Sequence, residues 1–412
     1  MAVPDVHQTI LVHVTGRDRP GLTAGLLGIL DEDGVAVYDM EQLVVRERLT
    51  LDVLIAVPAG SDVLKDLLFF AWEQGVQAEF EVVDAQPSPR ARRRHVVTVM
   101  APELSPKALQ AVAAAIASAG GNIDRIVRIA RYPVVAYELE VVDTDGDTLR
   151  EALVAASTDQ GIDVAVQAAN LERRAKRLVV MDVDSTLIQG EVIELLAAEA
   201  GCLAEVAEVT ERAMQGELDF EASLHARVAL LTGLEAAALD RVARSVRLTP
   251  GARTFVRTLR RLGYRTAIVS GGFTHITDRL KDELGLDHAF ANQLEIVDGR
   301  LTGRVVGPVV DRARKAELLR EVARIEGVPL EQTVAVGDGA NDLDMLGAAG
   351  LGIAFNAKPV VRDAADTAVS VPFLDAILFV LGVRRDDVEV ADGDDADLGA
   401  SEVVEVVGTP PL

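Results

Sequence analysis

Apolar positions along the chain follow two rhythms. In the first 170 or so residues, short apolar runs of strand length alternate with segments whose apolar residues recur at helical spacing. Thr9–Val14 reads as a strand, and Asp18-Arg19-Pro20-Gly21 then opens a helix, with Asp18 as its N-cap and Pro20 in its first turn. Leu22, Leu26, Ile29 and Leu30 fall on one face of that helix. Strands over Val35–Arg46 and Leu49–Val57, a helix over Asp62–Gln74 and a strand over Val76–Val83 complete a βαββαβ unit. The order recurs. His95–Met100 is a strand, Ser105 and Pro106 start a helix that stops at Gly120-Gly121-Asn122, and two strands follow. Asp147–Gln160 and Ile162–Gln167 close this second copy. Two such units in sequence are a tandem repeat, at residues 1–85 and 95–170, joined by a Pro-rich and then basic linker at 86–94.

Beyond Leu171–Lys176 the strands become short continuous apolar runs, the pattern of a parallel sheet buried on both faces. Leu178–Met181 ends in Asp182 and Asp184, Thr266–Val269 ends in Ser270-Gly271-Gly272, and Thr333–Val336 ends in Gly337-Asp338 with Asn341-Asp342 just beyond. Helical periodicity fills residues 188–247, which reads as a small cap inserted over the sheet edge. Residues 294–303 read as a hairpin turning at Asp298-Gly299. Leu351–Phe355 and Thr367–Val371 are the last strands expected, placing this domain at 171–384. From Arg385 to Leu412 the chain is crowded with Asp and Gly and reads as a disordered, solvating tail. The fold class expected is α/β: a Rossmann-like parallel-sheet core with a helical cap, preceded by two α+β units.

Ligand crevices in such sheets lie beyond the carboxyl ends of the strands. Three strands therefore deliver Asp182, Ser270 and Asp338 to one edge. Two carboxylates as close as Asp182 and Asp184 are hard to keep ionised together unless a cation offsets them. Mg²⁺ shared with phosphate oxygens is such a cation; a strand end followed by a solvated Asp-rich turn is the alternative. Glycines let backbone N–H groups approach an anion. Lys315, near the start of an amphipathic helix, can reach a phosphate as a point charge. The net charge of −24 argues against nucleic acid and anionic membrane as partners. Salt screens distant charge beyond about 8 Å, so it does not exclude an anionic substrate. The single cysteine, Cys202, allows no disulfide within the chain. No apolar stretch is long enough to span a bilayer and no secretory leader opens the chain, so a cytoplasmic protein is expected.

The ordered set DxDST, SGG, a helix-borne Lys and GDGxND resembles the haloacid-dehalogenase superfamily of phosphatases, over roughly the second half of the chain. Within it, the segments Asp182–Glu191 and Met214–Phe220, with Arg227 seven residues on, resemble the phosphoserine phosphatases. The resemblance implies Asp182 as nucleophile, Asp184 as acid and base, and Lys315 as a charge stabiliser. It implies Mg²⁺ held by Asp182, Asp338 and Asp342 with the Asp184 backbone carbonyl. Ser270, Gly271 and Asn341 would hold phosphate. Glu191, Met214, Phe220 and Arg227 would select O-phospho-L-serine. The two repeats resemble ACT domains, amino-acid-sensing modules, and Thr15–Gly21 looks like their ligand loop, with Gly16, Asp18 and Gly21 as regulatory residues. The second copy has Ala101–Pro106 there, without the glycines. Exposed sheet edges in such modules suggest a homodimer. A phosphotransferase of the same superfamily, or an amino-acid sensor with a vestigial catalytic half, are the rival readings.

Overall fold

The computed structural model describes residues 7–58, 60–83, 93–214 and 217–396. The linker residues up to 92 and the tail from 397 lie outside that set. The chain forms two compact units, residues 1–91 and 92–412.

The first unit runs β1 (His7–Arg17), α1 (Leu22–Glu32), β2 (Ala36–Val45), β3 (Arg48–Pro58), α2 (Val63–Gln74) and β4 (Gln77–Val82). Its antiparallel sheet has the order β2-β3-β1-β4, with Leu22, Leu26, Leu30, Val63 and Leu67 buried on the helix faces turned to it. One expectation fails here. Asp18 is not the N-cap of α1; Gly21 is, at φ 95°. The reason is register. β1 stays paired to β3 as far as Arg17 opposite Arg48, and the Asp18 N–H donates to the Glu47 carbonyl at 2.8 Å, so the chain cannot turn until Gly21 supplies a left-handed residue. Gly16 is therefore a strand residue. A Cβ on it would lie 2.5 Å from the Val76 side chain, which gives this glycine a packing reason of its own.

The second unit opens with the repeat: β5 (Arg94–Ala101), α3 (Pro106–Ser118), β6 (Asn122–Ala130), β7 (Val135–Val142), α4 (Gly146–Gln160) and β8 (Asp163–Ala168). Its sheet order, β6-β7-β5-β8, reproduces that of the first copy. Ser105 caps α3 through the Ala108 N–H with Pro106 at the first helical position, as the sequence predicts. After α5 (Leu171–Arg174) the chain enters the large sheet at β9 (Leu178–Met181).

Four cap helices follow: α6 (Val192–Ala200), α7 (Leu203–Met214), α8 (Phe220–Ala229) and α9 (Ala237–Ser245). The remaining elements are α10 (Ala252–Arg261), β10 (Arg265–Phe273), α11 (Thr274–Leu284), β11 (His288–Val297), β12 (Arg300–Val306), α12 (Arg312–Ile325), β13 (Thr333–Gly337), α13 (Leu343–Ala348), β14 (Gly352–Phe355), α14 (Pro359–Arg362), β15 (Thr367–Val369), α15 (Ile377–Val380) and α16 (Arg385–Ala396). Seven strands pair in the order β12-β11-β10-β9-β13-β14-β15, parallel except for the β11–β12 hairpin. β9 is central and buried along its whole length, so its carboxyl end opens between β10 and β13.

The expected disordered tail is corrected over its first part: residues 385–396 are helical. Val388 is buried, Asp392 pairs with Arg257 and Arg261 at 2.6 Å each, and Arg385 bonds the buried Asp375 at 2.9 Å. Two arginines of α10 thus hold one acid of this helix, and its own Arg385 ties its start to the core. No helix among the described residues is long and apolar enough to cross a membrane.

Candidate active site

Asp182 and Asp184 leave β9 through a kinked turn, Val183–Leu187, in which Asp184 is extended and Ser185 takes φ 58°. The turn sends the two carboxylates in different directions. Asp182 Oδ1 accepts from Lys315 Nζ at 2.6 Å, and the same ammonium donates to Asp342 Oδ1 at 2.7 Å. Lys315 lies in the first turns of α12, whose N-cap Asp311 accepts from the Arg314 N–H. Lys315 and Asp342 are 0% exposed and Asp182 is 4% exposed. Asp338 follows β13, and its Oδ1 accepts from Thr186 Oγ1 at 2.9 Å. Oxygens of Asp182, Asp338 and Asp342 all lie within 4.8 Å of one another. Three converging carboxylates are the hard-oxygen donor set that Mg²⁺ takes, so the residues present fit that ion. The Asp184 carboxylate is not in this cluster. Its Oδ1 accepts from the Val192 N–H at 2.8 Å and its Oδ2 from the Ser270 hydroxyl at 3.0 Å.

The loop after Val269 is fixed by contacts that sequence reasoning missed. Ser270 Oγ also accepts from the Gly272 N–H at 2.7 Å. The buried Asn292 donates to the Gly271 carbonyl and accepts from the Val310 N–H, both at 2.8 Å. Both glycines sit where neighbouring side chains approach closely. A Cβ on Gly272 would lie 2.9 Å from Asp184 Oδ2 and Ser270 Oγ, and one on Gly271 would lie 3.2 Å from Phe220 of the cap.

Burial sets the electrostatics. It pushes Asp182 well above the usual carboxylate range, with the Asp342 charge adding and Lys315 opposing. It raises Asp184 as well, against the hydrogen bonds from Val192 and Ser270. Asp338 rises to about 6 by burial. Glu191 rises to about 7, by burial first and then by the Asp184 charge. Burial alone would lower the Lys315 ammonium, but Asp182 and Asp342 hold it above its ordinary value.

These groups face a cavity of about 490 Å³. Asp182, Asp184, Gly271, Asp338 and Asn341 line it from the core; Glu191, Phe220 and Arg227 line it from the cap side. Glu191 precedes α6 and accepts from the Ser185 hydroxyl at 3.2 Å. Arg227 lies on α8, its Nε donating to the Ser223 carbonyl at 3.3 Å. Ser270, Lys315 and Asp342 stand behind the lining, in contact with it. The Met214 side chain lies outside the described residues. Lys358 and Val360 also line the cavity and were not singled out from the sequence. They follow the end of β14, where the strand-end rule that found Asp182 and Asp338 also applies.

Residues 179–347 match the haloacid dehalogenase-like hydrolase family, and residues 8–81 and 93–167 each match an ACT domain. The chain is 57% identical over 394 residues to the phosphoserine phosphatase of Streptomyces coelicolor, covering 95% of this chain and 96% of the relative. The chain belongs to the phosphoserine phosphatase family of haloacid dehalogenase-like hydrolases. Phosphoserine phosphatase SerB2 of Mycobacterium tuberculosis is 50% identical over 401 residues, covering 96% of this chain and 98% of that one. Among solved structures, a probable phosphoserine phosphatase from Vibrio cholerae in unliganded form matches with a TM-score of 0.57 and 37% identity, over 76% of this chain and 91% of that one. Membership thus extends over both ACT domains as well as the catalytic half.

Proposed function

We propose that this protein hydrolyses O-phospho-L-serine to L-serine and phosphate through a phosphoryl group carried on Asp182. The observation that carries the reading is the pairing of two features in one cavity. Asp182, backed by the buried Lys315 and Asp342, lines it from the core, and a carboxylate, Glu191, with a guanidinium, Arg227, lines it from the cap side. An Asp oxygen attacks phosphorus and the serine oxygen leaves. Asp184, whose carboxyl burial favours in the protonated form, gives that oxygen its proton. The resulting carboxylate takes a proton from the water that then attacks the aspartyl-phosphate. Asp182, Asp338 and Asp342 would hold Mg²⁺, which when bound supplies charge neutralisation at the phosphoryl group. Lys315 opposes the rise that burial gives Asp182 and holds its Oδ1 in place. The Gly271 N–H is placed to meet a phosphate oxygen, and Asn341 offers a side-chain amide. Glu191 answers the substrate ammonium and Arg227 its carboxylate, while Phe220 closes the wall over Gly271.

The test is phosphate release from L-phosphoserine with Mg²⁺ and with EDTA, for the natural chain and Asp182→Asn. Metal-dependent release lost in the variant is the expected result. Turnover of other phosphomonoesters but not phosphoserine refutes the roles of Glu191 and Arg227. Serine binding at the first ACT domain, beside Asp18 and the left-handed Gly21, is the regulatory part of the proposal; unchanged serine inhibition in Gly21→Asp refutes it. Strand β2, exposed along its length with Tyr38, Leu43 and Val45 uncovered, supports pairing between copies. A monomer in sedimentation equilibrium would exclude that.

A further inference from the structure

The second ACT domain meets the catalytic core along β8 and β15. The Ser370 N–H donates to Asp163 Oδ2 at 2.6 Å, Thr367 Oγ1 to the Val164 carbonyl at 3.3 Å, and Gln167 Nε2 to the Val380 carbonyl at 2.8 Å. The seam is not filled. Two cavities of about 260 and 180 Å³ lie along it, and Arg150, Val166 and Asp366 line both. The larger lies just under the size of ordinary small-molecule sites, roughly 300 Å³ upward, which suits a ligand as small as an amino acid.

Their lining mixes apolar side chains with charged ones that balance in sign. Four basic and four acidic side chains contribute, among them Arg150 and Arg362 on one side of the ledger of charge and Asp163 and Asp366 on the other. A lining of one sign would select an anion or a cation; a balanced one suits a molecule carrying both. Arg150 is the clearest anchor. Its Nε is buried without a hydrogen-bond partner among the described residues, its Nη2 reaches the Val166 carbonyl at 3.4 Å, and its Nη1 lies 3.5 Å from the carboxylate of the exposed Asp147. A guanidinium with a buried, unspent Nε–H is suited to a carboxylate.

One element connects this seam to the catalytic cavity. Lys358, Val360 and Val361 line the active-site cavity, and Arg362 and Asp363 line the seam cavity. All belong to α14 or flank it, and α14 is a single turn closed by the Arg362 N–H to the Lys358 carbonyl at 3.1 Å. A turn that short moves as one piece, so a ligand ordering its far end also sets the position of Val360 and Lys358.

We propose that the seam between the second ACT domain and the catalytic core is a binding site for a small zwitterion of the amino-acid class, held by Arg150 through its carboxylate and coupled to the active site through α14. This site is separate from the loop at Gly21. Its binding does not depend on the reaction assigned above, whereas its effect on turnover rests on that assignment.

The test is calorimetric titration of the full chain with the proteinogenic amino acids, each compared with the matching acid that lacks the amine. Three variants decide the site: Arg150→Ala, Val154→Trp and Gly21→Asp. Val154 lines the cavity and is 55% exposed, so a larger ring there blocks the space without disturbing a core. The expected result is an amino acid whose Kd rises about tenfold or more in Arg150→Ala and in Val154→Trp and is unchanged in Gly21→Asp, a difference of about 1.4 kcal/mol. The same amino acid should shift kcat/KM for phosphoserine in the natural chain and not in the two seam variants. No binding by any amino acid, or a Kd unchanged in both seam variants, overturns the site. Equal binding by the desamino acid overturns the zwitterion assignment, and binding at the seam with no change in kcat/KM overturns the coupling through α14.

Discussion

Lys315→Met removes the ammonium that bonds both Asp182 and Asp342 while keeping an unbranched apolar stem one atom shorter. Breaking a buried ion pair by deleting one partner costs about 3–5 kcal/mol, because the other charge is left uncompensated. Here two carboxylates are left, 4% and 0% exposed. For a unit of this size each kcal/mol lowers a melting transition by roughly 2–4 °C, so a fall of about 6–20 °C is expected in the transition that contains the core. The pH dependence has a definite sign. In the natural chain the folded ammonium sits above its ordinary value, so its contribution is complete below the unfolded lysine value and is lost only as pH rises through the folded one. In the variant the controlling group is Asp182, already raised by burial and raised further once Lys315 is gone. A carboxyl raised in the folded state favours folding at low pH and disfavours it as pH climbs through the range between the unfolded and folded values. The deficit should therefore be larger at pH 8 than at pH 5. Adding Asp342→Asn should recover part of it, and so should millimolar Mg²⁺, which offers the same carboxylates another cation. Scanning calorimetry of the three chains at both pH values is the assay. A Lys315→Met transition within about 2 °C of the natural one at pH 8 would refute the argument that this lysine is the structural counter-charge of the site.

Three further outcomes follow from the site's geometry. Glu191, at about 7 in the free protein, must lose its proton to meet an ammonium, so kcat/KM for phosphoserine should fall as pH drops below about 7, and Glu191→Gln should flatten that limb in a pH–rate profile. Arg227→Ala gives up a charge-assisted hydrogen bond worth about 1.5–3 kcal/mol, so kcat/KM should drop roughly 10- to 150-fold for phosphoserine but stay near its starting value for phosphoethanolamine, which has no carboxylate. Gly272→Ala puts a Cβ 2.9 Å from Asp184 Oδ2 and Ser270 Oγ, displacing the acid; kcat should fall on the order of 100-fold with the melting temperature little changed.

Features governed by local chemistry could be read from the residues alone. Asp298 and Gly299 take φ 51° and 74°, the pair of positive values a two-residue hairpin turn needs, and the sequence Asp-Gly announces them. Strand ends carrying Asp182 and Asp338 were legible because an apolar run that stops at a carboxylate has one place to go in a parallel sheet. What stayed hidden depends on partners distant in sequence. Asp18 has the composition of a helix cap, but pairing across β1 and β3 postpones the turn to Gly21. Residues 385–396 have the composition of a solvated tail, yet Arg257 and Arg261 on α10 hold Asp392. Asn292 reads as an ordinary strand residue, and only the fold brings it against Gly271 and Val310.

Lys315 shows most clearly how burial changes a residue's task. On sequence it is a cation free to reach phosphate; in the fold its ammonium is 0% exposed and committed to two carboxylates. The lining of the cavity is then dominated by acids, Asp182, Asp184, Glu191 and Asp338, against Arg227 and the exposed Lys358. Such a site repels a phosphate dianion unless a divalent cation joins Asp182, Asp338 and Asp342. The chain's net charge of −24 has little part in this, since screening confines the relevant field to the first several ångströms around the site. With Mg²⁺ held by Asp182, Asp338 and Asp342 as proposed, substrate affinity and metal affinity would be coupled, because the same residues that crowd negative charge together would hold the cation that offsets it.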